Sequence, residues 1–312
     1  MSETATPTRW SVEAMTARLV RYADLKPCFN AFIDTRSPGS EAKENFTTIG
    51  PGVSENPDQH VHIPEPHGFN IGGARQPPGC VNSQHSHETA EVFVVHSGHW
   101  RFDLGEFGDD ARTEIGPGDV ISLPTGMFRG FTATAPAPDG SPGFLFAALG
   151  GDDPGRVLWA PRVFDMARDY GLILLGNGSL VDTAAGGAVP DGAQPMSRTS
   201  PEQVALLHRA TPEEAERMVW RAGASTAHSP IIGPDAPLNG PHPFTMERLC
   251  LSDGVVDNRH VSRAEVLFVH QGSATIAWDE NNLTLGPGDM ITVPIGLDRS
   301  LSGEAAVYRV SG

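Results

Sequence analysis

The chain has 312 residues and a formal net charge of −16, enough length for two domains with separate cores. Its acids are dispersed along the chain, which argues against nucleic acid or an anionic membrane as partner. The 3 cysteines are widely spaced and form neither a disulfide framework nor a zinc-type CxxC, a usage that fits a reduced cytoplasm.

In chain order, MSETATPTRW has neither a basic n-region nor an apolar h-region, so no secretory signal is expected and the chain reads as cytoplasmic. A helical arm is predicted within residues 1–40. In SVEAMTARLVRYADL, Ser11 is the N-cap, Glu13 lies in the first turn, and Met15, Leu19, Val20 and Tyr22 form a partial apolar face. DTRSPGSEAKEN reads as loop. Residues 41–160 alternate short strands with Gly/Pro corners, as the 35 glycines and 27 prolines suggest. Residues 161–210 read as a helical connector holding RVFDMARDYG and the start of SPEQVALLHRATPEEAERMVW, the latter with Ser200-Pro201 as N-cap and first-turn proline. NGSLVDTAAGGAVPDGAQPMSRTS, between these helices, reads as a flexible surface connector. Strands resume over 211–312. The longest apolar run, GLILLG, is far too short to span a bilayer.

The strand regions repeat. PHGF (66–69) returns as PHPF (241–244), Gly79 as Gly254, His85 as His260, EVFVVHSG (91–98) as EVLFVHQG (265–272), and GPGDVISLPTGMFRGF as GPGDMITVPIGLDRSL. So long a period means two copies of a whole domain rather than a solenoid. The expected fold is all-β with minor helices, built as two antiparallel sandwiches or barrels.

The first copy concentrates candidate chemistry. His85 and His87 are two apart, so on a strand they face the same side, and Glu91 shares their parity. Two neutral imidazoles and a carboxylate suit Fe(II), Mn(II), Ni(II) or Zn(II); polar residues on a strand end are the plain alternative. Phe93, with the parity of Glu91, is expected in the pocket or the core, whereas His96 has the opposite parity and points away. His67 and His96 have counterparts in His242 and His270, which favours structural roles. HVH (60–62) lacks a following glutamate at the right distance and reads as a strand end, and Cys80 reads as a buried thiol. No phosphate-binding GxxxxGK[ST], strand–GxGxxG–helix unit or GxSxG elbow occurs.

Gly79-x5-His85-x-His87-x3-Glu91-x6-Gly98 resembles the first cupin motif at every position, and Gly118-x5-Pro124-x-Gly126 resembles most of the second. With its repeat, the chain resembles a bicupin over roughly residues 41–160 and 211–312. The resemblance implies two tandem jelly-roll barrels, but cupins host many functions. Cupin sites usually take a fourth ligand, a histidine, where this chain has Arg129, and a guanidinium cannot ligate a metal. Protein ligation then falls to His85, His87 and Glu91, the composition of the facial triad of oxygen-activating Fe(II) enzymes, with His67 a candidate to complete the shell. The second copy keeps His260, has Ser262 in place of His87, shortens the spacer to Glu265 and repeats arginine at Arg299. It is expected to be structural, with Glu265 and Arg299 as a buried pair.

The expectation is one divalent metal per chain, Fe(II) first. The activity expected is dioxygenase action on a small aromatic or enolisable, anionic substrate. A non-redox isomerase, lyase or decarboxylase and a metal-free binding bicupin are the alternatives. Arg129 is expected either to clamp the substrate's anionic group, to pair with Glu91 and neutralise it, which would make the first barrel metal-free, or to point out of the pocket. Partners are a small molecule and O2, with a homo-oligomer in line with bicupins.

Overall fold

The computed structural model describes residues 10–223 and 228–312. Residues 1–9, with most of the stretch read for a signal, and 224–227 lie outside the described residues. The chain divides into two compact units, each a mostly antiparallel β structure.

The larger unit takes residues 26–223 and 230–245. Its five-stranded sheet runs Val157–Trp159, Val81–His87, Arg129–Ala135, His99–Leu104 and Ala111–Ile115 in spatial order. A seven-stranded sheet runs Val219–Trp220, Val120–Leu123, Glu91–Ser97, Gly143–Gly150, Phe69–Gln76, Glu44–Ile49 and Val61–Ile63. Binary patterning sets which face is buried. Ala111–Ile115 alternates buried and exposed along its length, whereas the central strand Gly143–Gly150, GFLFAALG, is buried throughout. Between the sheets Phe131 stacks at 5.2 Å from Phe93 and 5.3 Å from Phe102. Truncating it to Ala would cost about 3–5 kcal/mol. Gly98 lets the chain turn after Glu91–Ser97: its φ is 76°, and a Cβ there would lie 2.8 Å from both the Ala135 carbonyl and the Gly143 Cα.

The smaller unit takes residues 10–25, 228–229 and 246–312. Its two 14-residue strands, Glu265–Trp278 and Asp298–Ser311, pair along most of their length. Met290–Val293 and Asn281–Leu285 flank the first, and Asp257–His260 pairs with the second.

These units differ from the expected boundaries in three places. Of the N-terminal arm, residues 10–25 belong to the smaller unit and 26–40 to the larger: Ser11 caps a helix, but it spans only Val12–Thr16, because Leu19 and Val20 pair with Ile291 and Met290 as a strand. Met15 joins that unit's core, and Trp278 Nε1 donates to the Trp10 carbonyl at 2.8 Å. Secondly, the connector is no linker. Helix Pro161–Asp169 and the hairpin Leu172–Leu174 with Leu180–Asp182 bury Val163, Ala167, Leu172 and Leu174 against Ile33, Val157 and Trp159. Thirdly, the single helix suggested over 200–220 is two, Pro201–Ala205 and Pro212–Arg217. Each starts with a capping box, at Ser200 and Thr211, and Pro212 cannot continue the first. Among the described residues no helix is long and apolar enough to cross a membrane.

Candidate metal centre

The histidine strand Val81–His87 lies between Val157–Trp159 and Arg129–Ala135, with His85 opposite both Trp159 and Arg129. Period-two geometry puts His85 and His87 on one face, their rings edge to face at 5.0 Å. A three-residue turn then brings Glu91 to the head of the facing sheet's Glu91–Ser97. All three are buried, and one ligand atom from each lies within 4.8 Å of the others. Among the described residues this is the one group of three or more potential ligands so placed.

His85 Nδ1 hydrogen-bonds the Ser83 carbonyl at 2.7 Å. That bond sets the tautomer with the proton on Nδ1, leaving Nε2 as the ligand atom. The Ser83 N–H in turn donates to Asp34 Oδ2 at 2.9 Å, and Asp34 Oδ1 accepts from the fully buried Lys43. Trp159 covers His85 at 5.3 Å and donates its Nε1–H to Glu55. Burial, reinforced by the charge of Arg129, lowers the pKa of His85 to about 3 and holds His87 well below its ordinary range. Both imidazoles are therefore neutral, the form a metal requires.

Arg129 is fully buried. Its Nε and Nη2 donate to Glu91 Oε2 at 3.3 and 3.2 Å, and its Nη1 donates to the Met127 carbonyl at 3.0 Å. Burial pushes both partners toward their neutral forms, and their mutual attraction opposes it. With two N–H···O contacts and the high intrinsic basicity of a guanidinium, the pair is ionised. Glu91 Oε1 stays clear of the arginine, 3.5 Å from His87 Nε2. Of the three roles open to Arg129, the geometry presents the pairing with Glu91: three of its N–H groups are engaged, and it does not line the cavity beside the histidines.

That cavity measures about 70 Å³, several times the space one ordered water needs. Aromatic walls from Phe32, Phe93, Phe131 and Trp159 border it, with His85, His87 and Glu91 at one side. Phe93 serves both the cavity and the core. His87, Val157 and Trp159 also border an outer cleft of about 650 Å³, which places the ligand set next to a route from solvent. A roomier cleft, about 760 Å³, lies elsewhere, between residues 105–110 and 198–209. It holds no such ligand group, so the chemistry concentrates in the smaller cavity.

The donor set fits a divalent ion. Two neutral imidazoles and a carboxylate converge, and His87 Nδ1 is buried with no hydrogen-bond partner. The structure does not bring His67 to this cavity. Its Nδ1 hydrogen-bonds the Glu65 carbonyl at 2.7 Å and its ring packs on Phe69, much as His242 bonds the Gly240 carbonyl and packs on Phe244. His96 packs edge-on against Phe144, and burial lowers its pKa to about 4; His270 packs likewise on Tyr308. His62 sits on the strand Val61–Ile63 and accepts from the Lys26 N–H. Cys80 is buried.

In the smaller unit Arg299 Nε and Nη2 donate to Glu265 Oε1 at 2.9 and 2.7 Å, so the Glu–Arg pair recurs. The equivalence of His260 with His85 needs correcting. Across from Arg299 stands Arg259, with His260 opposite Asp298; a slip of one residue turns a side chain to the other face. His260 is exposed and bonds Asp298, whereas Arg259 reaches Glu265 Oε2 at 3.4 Å. Arg309 and Asp257 extend this network.

Sequence reasoning missed Asp34, Lys43, Glu55 and Trp159. Asp34 and Lys43 fell in or beside a stretch read as loop, and a lone loop lysine gives no local sign that it will be buried.

Residues 74–138 match the family model of the cupin domain. The chain is similar to solved structures of oxalate decarboxylase. A Bacillus subtilis variant of that enzyme shares 11% identity over 99% of this chain and 79% of that one, with a TM-score of 0.56. The enzyme from Lactobacillus farciminis, in a formate complex, shares 11% identity over 94% and 85%, with a TM-score of 0.54. No curated protein sequence matches. At such identities the likeness speaks for the fold: a cupin domain in the N-terminal part of a chain with a cupin-like jelly-roll architecture.

Proposed function

We propose that the larger unit is a mononuclear metal-dependent enzyme, with His85, His87 and Glu91 as its ligands, that oxidises a small organic molecule with dioxygen. The observation that carries this reading is the convergence of three buried ligand groups on an enclosed aromatic cavity. A divalent ion there supplies Lewis acidity and, as Fe(II), redox chemistry with dioxygen. The chain's part is positioning. Ser83 orients His85, Arg129 fixes one oxygen of Glu91, and the aromatic walls exclude water. Three protein ligands leave positions for exogenous groups.

Oxidation is favoured over isomerase or lyase chemistry because the cavity wall carries no acid or base besides the ligands themselves. Proton-transfer catalysis needs a positioned group near the substrate. Non-redox decarboxylation draws support from the fold likeness, yet the wall offers no cation to hold a carboxylate away from the ion.

Purified protein should bind about one equivalent of Fe(II) per chain, and His87→Ala should abolish binding. With Fe(II) bound, oxygen uptake should accompany turnover across a panel of phenols and enolisable ketones. Carbon dioxide release without oxygen uptake would establish the decarboxylase reading instead. Two equivalents bound, or binding indifferent to His87, would overturn the single-site assignment.

A further inference from the structure

Outside the metal centre, the larger unit holds a serine and a histidine arranged as a nucleophile and its base. Ser122 Oγ and His242 Nε2 lie 2.8 Å apart, and His242 Nδ1 is 3.0 Å from the Gly240 carbonyl. A carbonyl only accepts, so the ring proton sits on Nδ1 and Nε2 keeps a lone pair. The Ser122 hydroxyl therefore donates to Nε2, and the histidine is aimed to take its proton. Burial holds the His242 pKa below its ordinary value, against the bond to Gly240, and so keeps the base neutral at neutral pH.

Both side chains are fixed from behind. Ser122 sits in Val120–Leu123, opposite Val92 on one side, while its N–H donates to the Met218 carbonyl on the other. The Gly240 carbonyl accepts from the His242 N–H at 2.8 Å as well as from Nδ1–H. A Cβ on Gly240 would lie 3.0 Å from His242 Cε1, so glycine lets the ring fold back on its own turn. The repeat does not demand the pair. His67, the counterpart of His242, bonds the Glu65 carbonyl but no hydroxyl among the described residues. Thr292 stands where Ser122 does in the second copy, buried and with its hydroxyl unpartnered. Ser122 and His242 both line a cleft of about 190 Å³ with apolar walls from Ala90, Pro124, Met218 and Leu238. That is about six times the roughly 30 Å³ a water occupies in the liquid, room for a short acyl chain. Arg217 and Asn239 on the same walls carry the donors an oxyanion needs.

We propose that Ser122 and His242 form a metal-independent reactive site that cleaves esters of short-chain acids. Ser122 Oγ bonds to the ester carbonyl carbon as its proton passes to His242 Nε2. The bond from that carbon to the alcohol oxygen breaks, and Nε2 gives the proton to the departing alcohol, leaving an acyl-serine. Water then loses a proton to Nε2 and adds to the acyl carbon. The acid departs, and the serine oxygen takes the proton back. The acyl chain lies against the apolar walls, with the alcohol part toward solvent.

Two probes test this on the full chain, with EDTA present throughout. Dimethyl p-nitrophenyl phosphate leaves a small, stable phosphoryl group on an activated serine, and p-nitrophenyl acetate reports hydrolysis. Peptide mass spectrometry should place the phosphoryl group on Ser122, and the labelled protein should no longer hydrolyse the acetate. His242→Gln should slow labelling about 100-fold or more, the share a general base supplies. Ser122→Ala should abolish labelling and lower kcat/KM for the acetate by a similar factor. Ser122→Ala removes a single oxygen from a half-buried residue, so it decides the matter even if His242→Gln fails to fold. An unlabelled Ser122, equal labelling in His242→Gln, or acetate hydrolysis unchanged in Ser122→Ala would each overturn the pair; the last would assign the activity to an imidazole acting alone. Labelling that appears only when Zn(II) replaces EDTA would overturn its independence of the metal.

Discussion

The two units keep the same carboxylate–guanidinium pair and surround it differently. In the larger unit Arg129 holds one oxygen of Glu91, and neutral histidines take up the space beside the other. In the smaller unit Glu265 meets Arg299, Arg259 and Arg309, and Asp257 balances the arginines. In one place the carboxylate is paired through one oxygen and turns the other toward histidines; in the other it is surrounded by arginines. The Glu–Arg pair therefore belongs to the shared architecture, and the histidines beside it make the difference in chemistry.

Removing the arginine breaks the comparison most sharply. Arg299→Leu leaves Glu265 and Asp257 short of a buried partner and should destabilise the smaller unit by about 3–5 kcal/mol. Arg129→Leu should cost a similar amount without metal. Zinc should restore much of that loss, because the freed Glu91 gains a cation, but none of the loss in Arg299→Leu. Thermal unfolding with and without Zn(II) reads both, and rescue of both variants, or of neither, would erase the distinction.

A smaller effect tests how His85 is held. Asp34→Leu or Lys43→Met breaks the chain of contacts running from Lys43 through Asp34 and Ser83 to His85. Metal affinity should fall about 10–100-fold, as for other contacts behind a ligand. Asp34→Asn keeps an acceptor for the Ser83 N–H and should recover part of it. If all three variants bind alike, the ion pair acts on the fold alone.

The larger unit also carries a buried acid held by neutral donors, unlike the paired acids of the smaller one. Burial pushes Glu55 up to about 8, against hydrogen bonds from Trp159 and the Ile33 N–H. Its folded pKa lies above the unfolded one, so its contribution to stability is complete below about pH 4.5 and is lost as pH rises toward 8. Melting temperature measured over that window should decline, and Glu55→Gln should flatten the slope. An unchanged slope assigns the titration to other groups. The smallest effect belongs to His260→Ala: the side chain is exposed, and stability should move by less than about 0.5 kcal/mol with metal binding intact.

The triad was legible because it is local. His85 and His87 need only the two-residue period of one strand, and Glu91 only a short turn, so spacing in the chain nearly determines proximity. The repeat likewise exposed the Glu265–Arg299 pair. His260 misled because sequence similarity does not set cross-strand register, and the register at Asp257–His260 turns Arg259 inward instead.

By itself, the sequence determined the β class, the duplication and the three ligand candidates, all of which depend on periodicity and turn residues over short spans. Tertiary structure alone decided what Arg129 does, that Leu19 and Val20 extend a sheet of the distant half, and that Lys43 and Asp34 gather behind His85. Those outcomes depend on which distant segments close over a side chain and how fully they strip it of water. Burial and long-range partners of that kind leave no mark on the spacing of residues along the chain.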